Sequence, residues 1–141
     1  MIPCFFEDID PFNISLDIYS EKTSYIIDNE GFIKGDISII LCSDSYLLAL
    51  NQKHLNHNYF TDIITFSYTE ENELSGDLFI SIDRVKENAV KENKSFENEL
   101  ERVVYHGVLH LCGYNDKSPQ EITVMRSKED YYLNYNVSRE T

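Results

Sequence analysis

The stretch HGVLHLCGYND, residues 106–116, decides the fold prediction because it specifies a helix end, a turn and a cluster of metal-binding side chains. His106 and His110 lie four residues apart on the predicted helix, so both imidazoles project from one face. Gly113 suits the left-handed position just past the end of that helix. Asp116 can then fold back beneath the histidines. The stretch therefore predicts a metal site formed by His106, His110 and Asp116.

The spacing of these three residues favours a catalytic site over a structural one. HxxxH alone is weak evidence, because a core or surface pair explains it equally well. The longer pattern H-x3-H-x2-G-x2-D has the ligand spacing of metzincin proteases, with Asp in the last position. Three protein ligands leave the fourth position of Zn²⁺ for water. Because aspartate is a harder ligand than histidine, other divalent transition metals stay open as alternatives.

Position 107 argues against peptide hydrolysis. A zincin protease carries Glu beside its first metal-binding histidine as general base, and this chain has Gly107. A substrate whose hydrolysis depends less on that base fits better, and phosphodiesters are one such class. A metallopeptidase or another zinc hydrolase is the alternative enzyme class.

Composition predicts one globular domain over residues 1–141. Apolar residues make up 42% of the chain and aromatic residues 13%, which is enough for a hydrophobic core. No apolar run approaches the roughly 20 residues of a membrane span, and we expect no membrane partner. The three scattered cysteines and the absence of a basic N-terminal region favour a reducing cytoplasm.

The net charge of −13 constrains how RNA could be bound. A protein that grips a polyanion by its surface alone should be basic. An RNA substrate must therefore be held by a local patch or a metal, or be delivered by a partner.

Hydrophobic periodicity predicts an α+β fold. Strands are expected at residues 2–7, 37–43, 62–68 and 76–82, and helices at residues 12–27, 44–55, from 83, 95–112 and from 118. The short link between the last two strands predicts a hairpin. An alternating strand through ISLDIYS competes with the first helix. The order of elements predicts a mixed four-stranded sheet with helices packed mainly on one face.

Three sequence blocks resemble the bacterial YbeY family, which is described as single-strand-specific endoribonucleases. HGVLHLCGYND resembles the family pattern HGxLHLxGYDH, TDIITF at 61–66 resembles PTDVLSF, and GDLFIS at 76–81 resembles GDIxIS. Their order and spacing agree over about residues 37–135. The resemblance implies a zinc-dependent hydrolase with a metalloprotease-like fold. It further implies action on single-stranded RNA in 16S rRNA maturation and ribosome quality control, with a ribosomal subunit or ribosomal protein as partner.

Two positions depart from the family pattern. Asp116 stands where the family has its third metal-binding histidine, and metal binding is expected to survive that exchange. Leu55 stands where the family has an arginine that is thought to be important for activity.

Arg102 offers a replacement for the missing arginine. It lies four residues before His106, on the stripe that carries both metal-binding histidines. We predict that Arg102, together with His54 or His57, contacts a phosphate of the substrate. The competing interpretation pairs Arg102 with Glu99, three residues earlier on the same helix.

The sequence thus predicts a cytoplasmic, metal-dependent endoribonuclease whose metal activates a water molecule. The non-enzymatic alternative is a ribosome-assembly factor with a structural metal. A closed site with four protein ligands would favour that alternative.

Overall fold

A mixed four-stranded sheet forms the centre of the protein in the computed structural model, which describes residues 2–56 and 60–140, with side chains described as far as residue 134. The strands are β1 (Cys4–Phe6), β2 (Ile33–Cys42), β3 (Ile63–Ser67) and β4 (Glu73–Ser81). Their order across the sheet is β1-β2-β4-β3. β2 is parallel to both β1 and β4, whereas β3 and β4 form the predicted antiparallel hairpin.

Five helices complete the described part of the chain. They are α1 (Leu16–Asn29), α2 (Asp44–Leu55), α3 (Ile82–Lys91), α4 (Phe96–Leu111) and α5 (Pro119–Glu140). Ser43, Ser81 and Ser95 cap α2, α3 and α4 by accepting a backbone N–H bond on the hydroxyl. Ser118 and Glu121 form the reciprocal capping box expected at the start of α5. None of the described helices is long and apolar enough to cross a membrane.

The main core lies on one face of the sheet. Ile39 and Leu78 of the central strands are fully buried there, together with Ile26 of α1 and with Tyr105 and Leu109 of α4. This arrangement confirms the predicted α+β fold with helices mainly on one face.

Helix α2 covers the opposite face of the sheet. Its Leu47 packs with Cys42 and Ile64, whose strand neighbours Leu41 and Ile63 face the main core. Because successive strand residues point to opposite faces, this second cluster lies behind the sheet.

The boundaries of several predicted elements differ from the structure. Helix α1 begins at Leu16 rather than at residue 12, and β4 begins at Glu73 rather than at residue 76. Residues 16–20 of ISLDIYS are helical, because Tyr19, Thr23 and Ile26 are spaced to bury one helical face. β2 begins at Ile33 rather than at residue 37. An irregularity in the β2–β4 register between Lys34 and Ile37 interrupts the alternation that marks a strand in the sequence.

Gly76 is required by the close approach of β3 and α4 to β4. A Cβ atom at this position would lie 2.4 Å from the backbone oxygen of Phe66 and 2.8 Å from Cδ2 of Leu111. We expect Gly76→Ala to lower the free energy of unfolding by roughly 1–3 kcal/mol, because backbone must shift to admit the methyl group. Denaturant unfolding monitored by circular dichroism measures the change.

Val90→Ala is the control for this experiment, because Val90 is exposed on α3. It should change the free energy of unfolding by less than about 0.5 kcal/mol. A Gly76→Ala protein as stable as the wild type would contradict the steric argument.

Candidate metal centre

Helix α4 and the loop after it bring the three predicted ligand residues together. The Nε2 atoms of His106 and His110 lie 3.0 Å apart. Oδ2 of Asp116 lies 3.1 Å from Nε2 of His106 and 3.3 Å from Nε2 of His110. A tetrahedral ion with bonds of about 2.0–2.1 Å separates its ligand atoms by about 3.3 Å. The three donor atoms therefore fit one transition-metal ion and could bind it.

The turn after α4 follows the prediction from Gly113. This residue has φ +103°, in the region that favours glycine. Its N–H donates to the carbonyl of His110, and the N–H of Tyr114 donates to that of Leu109. These bonds close the helix end and return the chain toward the histidines, where Asp116 joins them.

A buried carboxylate lies behind His106. Nδ1 of His106 donates to Oε2 of Glu129 at 2.7 Å, and Glu129 is only 4% exposed. A carboxylate can only accept a hydrogen bond, so a neutral His106 keeps its proton on Nδ1 and presents a lone pair at Nε2. Burial lowers the pKa of His106, but the hydrogen bond to Glu129 and the nearby carboxylates outweigh it and raise the pKa. Burial likewise raises the pKa of Glu129, and its bonds with His106 and Arg102 reverse that effect.

Glu129 was not identified from the sequence. A signal for it exists, because Glu129 stands four residues after Met125 and three before Tyr132, both buried on the inner stripe of α5. A carboxylate in such a stripe needs a partner in the core.

The three residues that could hold a metal ion border an open cleft of about 560 Å³ between α2, β3, α4 and the loop after α4. Leu55, Asp62 and Lys117 are among its lining residues. Asp62 and Asp116 are the two carboxylate residues among the described lining residues. Burial raises the pKa of Asp62. Lys117 is the only lysine or arginine among the lining residues that the structure describes.

Arg102 and His54, two of the residues predicted to contact a phosphate, are not among the residues that line this cleft. Arg102, whose side chain is 14% exposed, binds Glu129 through Nη1 and Asp130 through Nη2, at 2.8 and 2.7 Å. Those partners differ from the Glu99 of the competing interpretation. His54 packs edge-on against Phe66, with ring centroids 5.6 Å apart. His57 lies outside the described residues.

Leu55, which the sequence resemblance aligns with an arginine of the family, lines the cleft. The side chain at this position of the cleft is therefore apolar and carries no positive charge.

Glu30, at the end of α1, contacts the loop after α4, which carries Asp116. The Tyr114 hydroxyl donates to Oε1 of Glu30 at 2.7 Å, and the Tyr132 hydroxyl and Lys128 Nζ bind Oε2. Burial raises the pKa of Glu30, but these three partners outweigh it and hold the pKa below its ordinary value. Glu30 thus joins α1, the ligand loop and α5.

The fold and the site define an α+β protein in which three residues that could hold a metal ion border an open cleft. Catalytic zinc sites have the same number of protein ligands, because they keep one coordination position free. The family model "Endoribonuclease YbeY" matches residues 12–136. This chain therefore belongs to the YbeY family of endoribonucleases.

Curated relatives and a solved structure agree with this assignment. The Endoribonuclease YbeY of Flavobacterium johnsoniae is 50% identical over 79% of this chain and 81% of the relative. That of Flavobacterium psychrophilum is 49% identical over 86% of this chain and 92% of the relative. The solution structure of TM1509 from Thermotoga maritima is 29% identical, with a TM-score of 0.69 over 99% of this chain and 93% of that one.

We expect Glu30→Gln to lower the free energy of unfolding at pH 7 by roughly 1–3 kcal/mol, because Glu30 Oε2 loses its charge toward Lys128 and the Tyr132 hydroxyl. A carboxyl with a lowered folded pKa contributes stability that is present above its ordinary pKa of 4.5. That stability is lost as the pH falls through the folded pKa. Urea unfolding between pH 7 and pH 3 should therefore show the two proteins converge in acid.

Glu21→Gln, an exposed carboxyl change on the same helix, is the matched control. It should leave stability unchanged at every pH. A Glu30→Gln deficit that persists undiminished at pH 3 would contradict this account of the Glu30 charge.

Proposed function

We propose that this protein is a zinc-dependent, single-strand-specific endoribonuclease in which His106, His110 and Asp116 hold the ion. The observation that carries the proposal is the approach of their three donor atoms to within 3.0–3.3 Å of one another at the edge of an open cleft. When bound, Zn²⁺ supplies Lewis acidity that activates water and stabilises charge on phosphoryl oxygens. The remaining chemistry falls to the residues of the cleft.

Lys117 takes over the phosphate contact that Leu55 cannot make. Its side chain is exposed beside Asp116, and no described acidic side chain forms an ion pair with its ammonium group. It can therefore turn toward a substrate phosphate without first breaking an internal pair. This assignment replaces the phosphate contact predicted for Arg102, whose guanidinium is bound to two carboxylates.

Substrate delivery requires a partner. With a net charge of −13, the protein repels free RNA, and one lysine at the cleft does not offset that field. We infer that a ribosomal subunit or ribosomal protein presents the RNA, and that cleavage serves 16S rRNA maturation and ribosome quality control in the cytoplasm.

The observed packing at Gly107 disfavours the peptidase alternative. A Cβ atom at this position would lie 2.6 Å from Cδ1 of Ile63 and 3.0 Å from Cδ2 of Leu78. A glutamate base beside His106 would therefore start inside the packed interface between α4 and the sheet. The openness of the three-residue site to the cleft disfavours a purely structural metal.

The first test measures metal and cleavage together. The purified protein should contain about one Zn²⁺ per chain and cleave single-stranded RNA but not casein, and a chelator should abolish cleavage until Zn²⁺ is restored. His110→Ala removes one donor and should reduce RNA cleavage at least about 100-fold.

His110→Ala purified in parallel carries the same contaminants as the wild type and therefore serves as the control. RNA cleavage that resists the chelator, or that is equal in the two preparations, would refute the proposed site.

The second test concerns Lys117. Lys117→Ala should lower kcat/KM for RNA by roughly 10–100-fold, because one charge-assisted contact contributes about 1.5–3 kcal/mol. Lys117→Arg should retain most of the activity. Lys94→Ala is the matched control, because Lys94 is exposed between α3 and α4 and does not line the cleft. Equal losses in the two alanine variants would show a general charge effect and refute a specific role for Lys117.

A further inference from the structure

A chain of three charged or polar groups leads through the buried Glu129 to the candidate metal site. The Arg102 guanidinium donates to Oε1 of Glu129 at 2.8 Å, and Oε2 of Glu129 accepts from Nδ1 of His106 at 2.7 Å. The other ring nitrogen of His106 faces His110 and Asp116. The chain therefore ends on a donor atom of the proposed ligand group.

Because Glu129 is buried, its bonds to Arg102 and His106 are required rather than incidental. An isolated carboxylate in a protein core costs several kcal/mol, so Glu129, at 4% exposure, depends on the partners at both of its oxygens. Each carboxylate oxygen of Glu129 accepts its own short hydrogen bond, and the two bonds together fix the plane of the carboxylate. Arg102 is fixed in turn, because its second nitrogen binds Asp130 at 2.7 Å. The ring of His106 has little freedom to rotate against such a partner.

We propose that Glu129 and Arg102 are positioning residues for the metal site. Glu129 holds the proton of His106 on Nδ1 and fixes the ring, so that the Nε2 lone pair is directed at the ion before the ion binds. Arg102 acts through Glu129 by fixing the carboxylate that His106 needs. The inference rests on the proposed metal-binding role of His106, His110 and Asp116, and it does not depend on the identity of the RNA.

The same helix provides a matched control. Glu101, adjacent to Arg102, accepts from Lys22 Nζ and from the Tyr105 hydroxyl, each at 2.6 Å. This carboxylate is also largely buried and ion-paired, with a side chain 17% exposed. Its partners lie outside the ligand group. Glu101→Gln therefore reports the cost of losing a part-buried carboxylate on α4 without touching His106.

The experiment measures Zn²⁺ affinity by competition with a chromophoric chelator, without RNA. Glu129→Gln should weaken binding about 10–100-fold, the effect typical of losing a carboxylate partner of a metal-binding histidine. Arg102→Ala should weaken it several-fold. The double variant should bind no more weakly than Glu129→Gln alone, because Arg102 acts only through Glu129. Glu101→Gln should match the wild type.

Three results would overturn the proposal. Wild-type Zn²⁺ affinity in a folded Glu129→Gln protein would remove Glu129 from the site, and fully additive effects of the two changes would show that Arg102 does not act through it. An equal loss of affinity in Glu101→Gln would assign the effect to general destabilisation and would also overturn the proposal.

A measurement on the unaltered protein applies even if the variants fail to fold. In metal-free wild type, at a pH where His106 is neutral, ¹⁵N NMR of the imidazole should show the proton on Nδ1, and a proton on Nε2 would refute the proposal. Failure of the proposed function gives a different pattern. In that case RNA cleavage is absent or insensitive to metal, while the differences in Zn²⁺ affinity and the Nδ1 proton persist.

Discussion

The rotation of helix α4 about its own axis is the constraint on which the rest of the structure depends. Tyr105 and Leu109 are fully buried against the core, and Gly107 lets the helix approach Ile63 and Leu78 more closely than a larger residue would. Because that face of α4 packs against the sheet, the helical period of 3.6 residues places His106 and His110 at the cleft. The core packing of α4 and the geometry of the candidate site are therefore set by one interface.

Two carboxylates form hydrogen bonds with the candidate metal site or with the loop that carries Asp116. Glu129 on α5 accepts a hydrogen bond from Nδ1 of His106, and Glu30 at the end of α1 accepts one from the Tyr114 hydroxyl. Both have pKa values below the ordinary range despite burial, because hydrogen bonds and nearby cations outweigh desolvation. An acidic protein thus uses part of its negative charge inside the fold, where each carboxylate has specific partners.

The local parts of the site could be predicted from the sequence, and the long-range parts could not. The helix of HGVLHLCGYND, the turn at Gly113 and the approach of Asp116 depend on residues within one short stretch, so spacing and backbone preferences predict them. The partners of Arg102 lie 27 and 28 residues away on α5. Which face of α5 meets α4 is decided by tertiary packing. Helical spacing therefore offered only Glu99 as a partner, in the interpretation that competed with a phosphate contact for Arg102. The early start of β2 was missed for a related reason, since its irregular pairing with β4 hides the alternating pattern.

The order of strands has a consequence for how the protein behaves at high concentration. The two long strands, β2 with 10 residues and β4 with 9, are interior, while the sheet ends in β1 with 3 residues and β3 with 5. Unpaired backbone groups at a sheet margin are templates for intermolecular pairing, and short margins offer few of them. β1 pairs with β2 only at Ile39–Leu41, so the first part of β2 is left without a strand on that side. The shortness of β1 and β3 and the mutual repulsion between copies of an acidic chain limit pairing through those two edge strands.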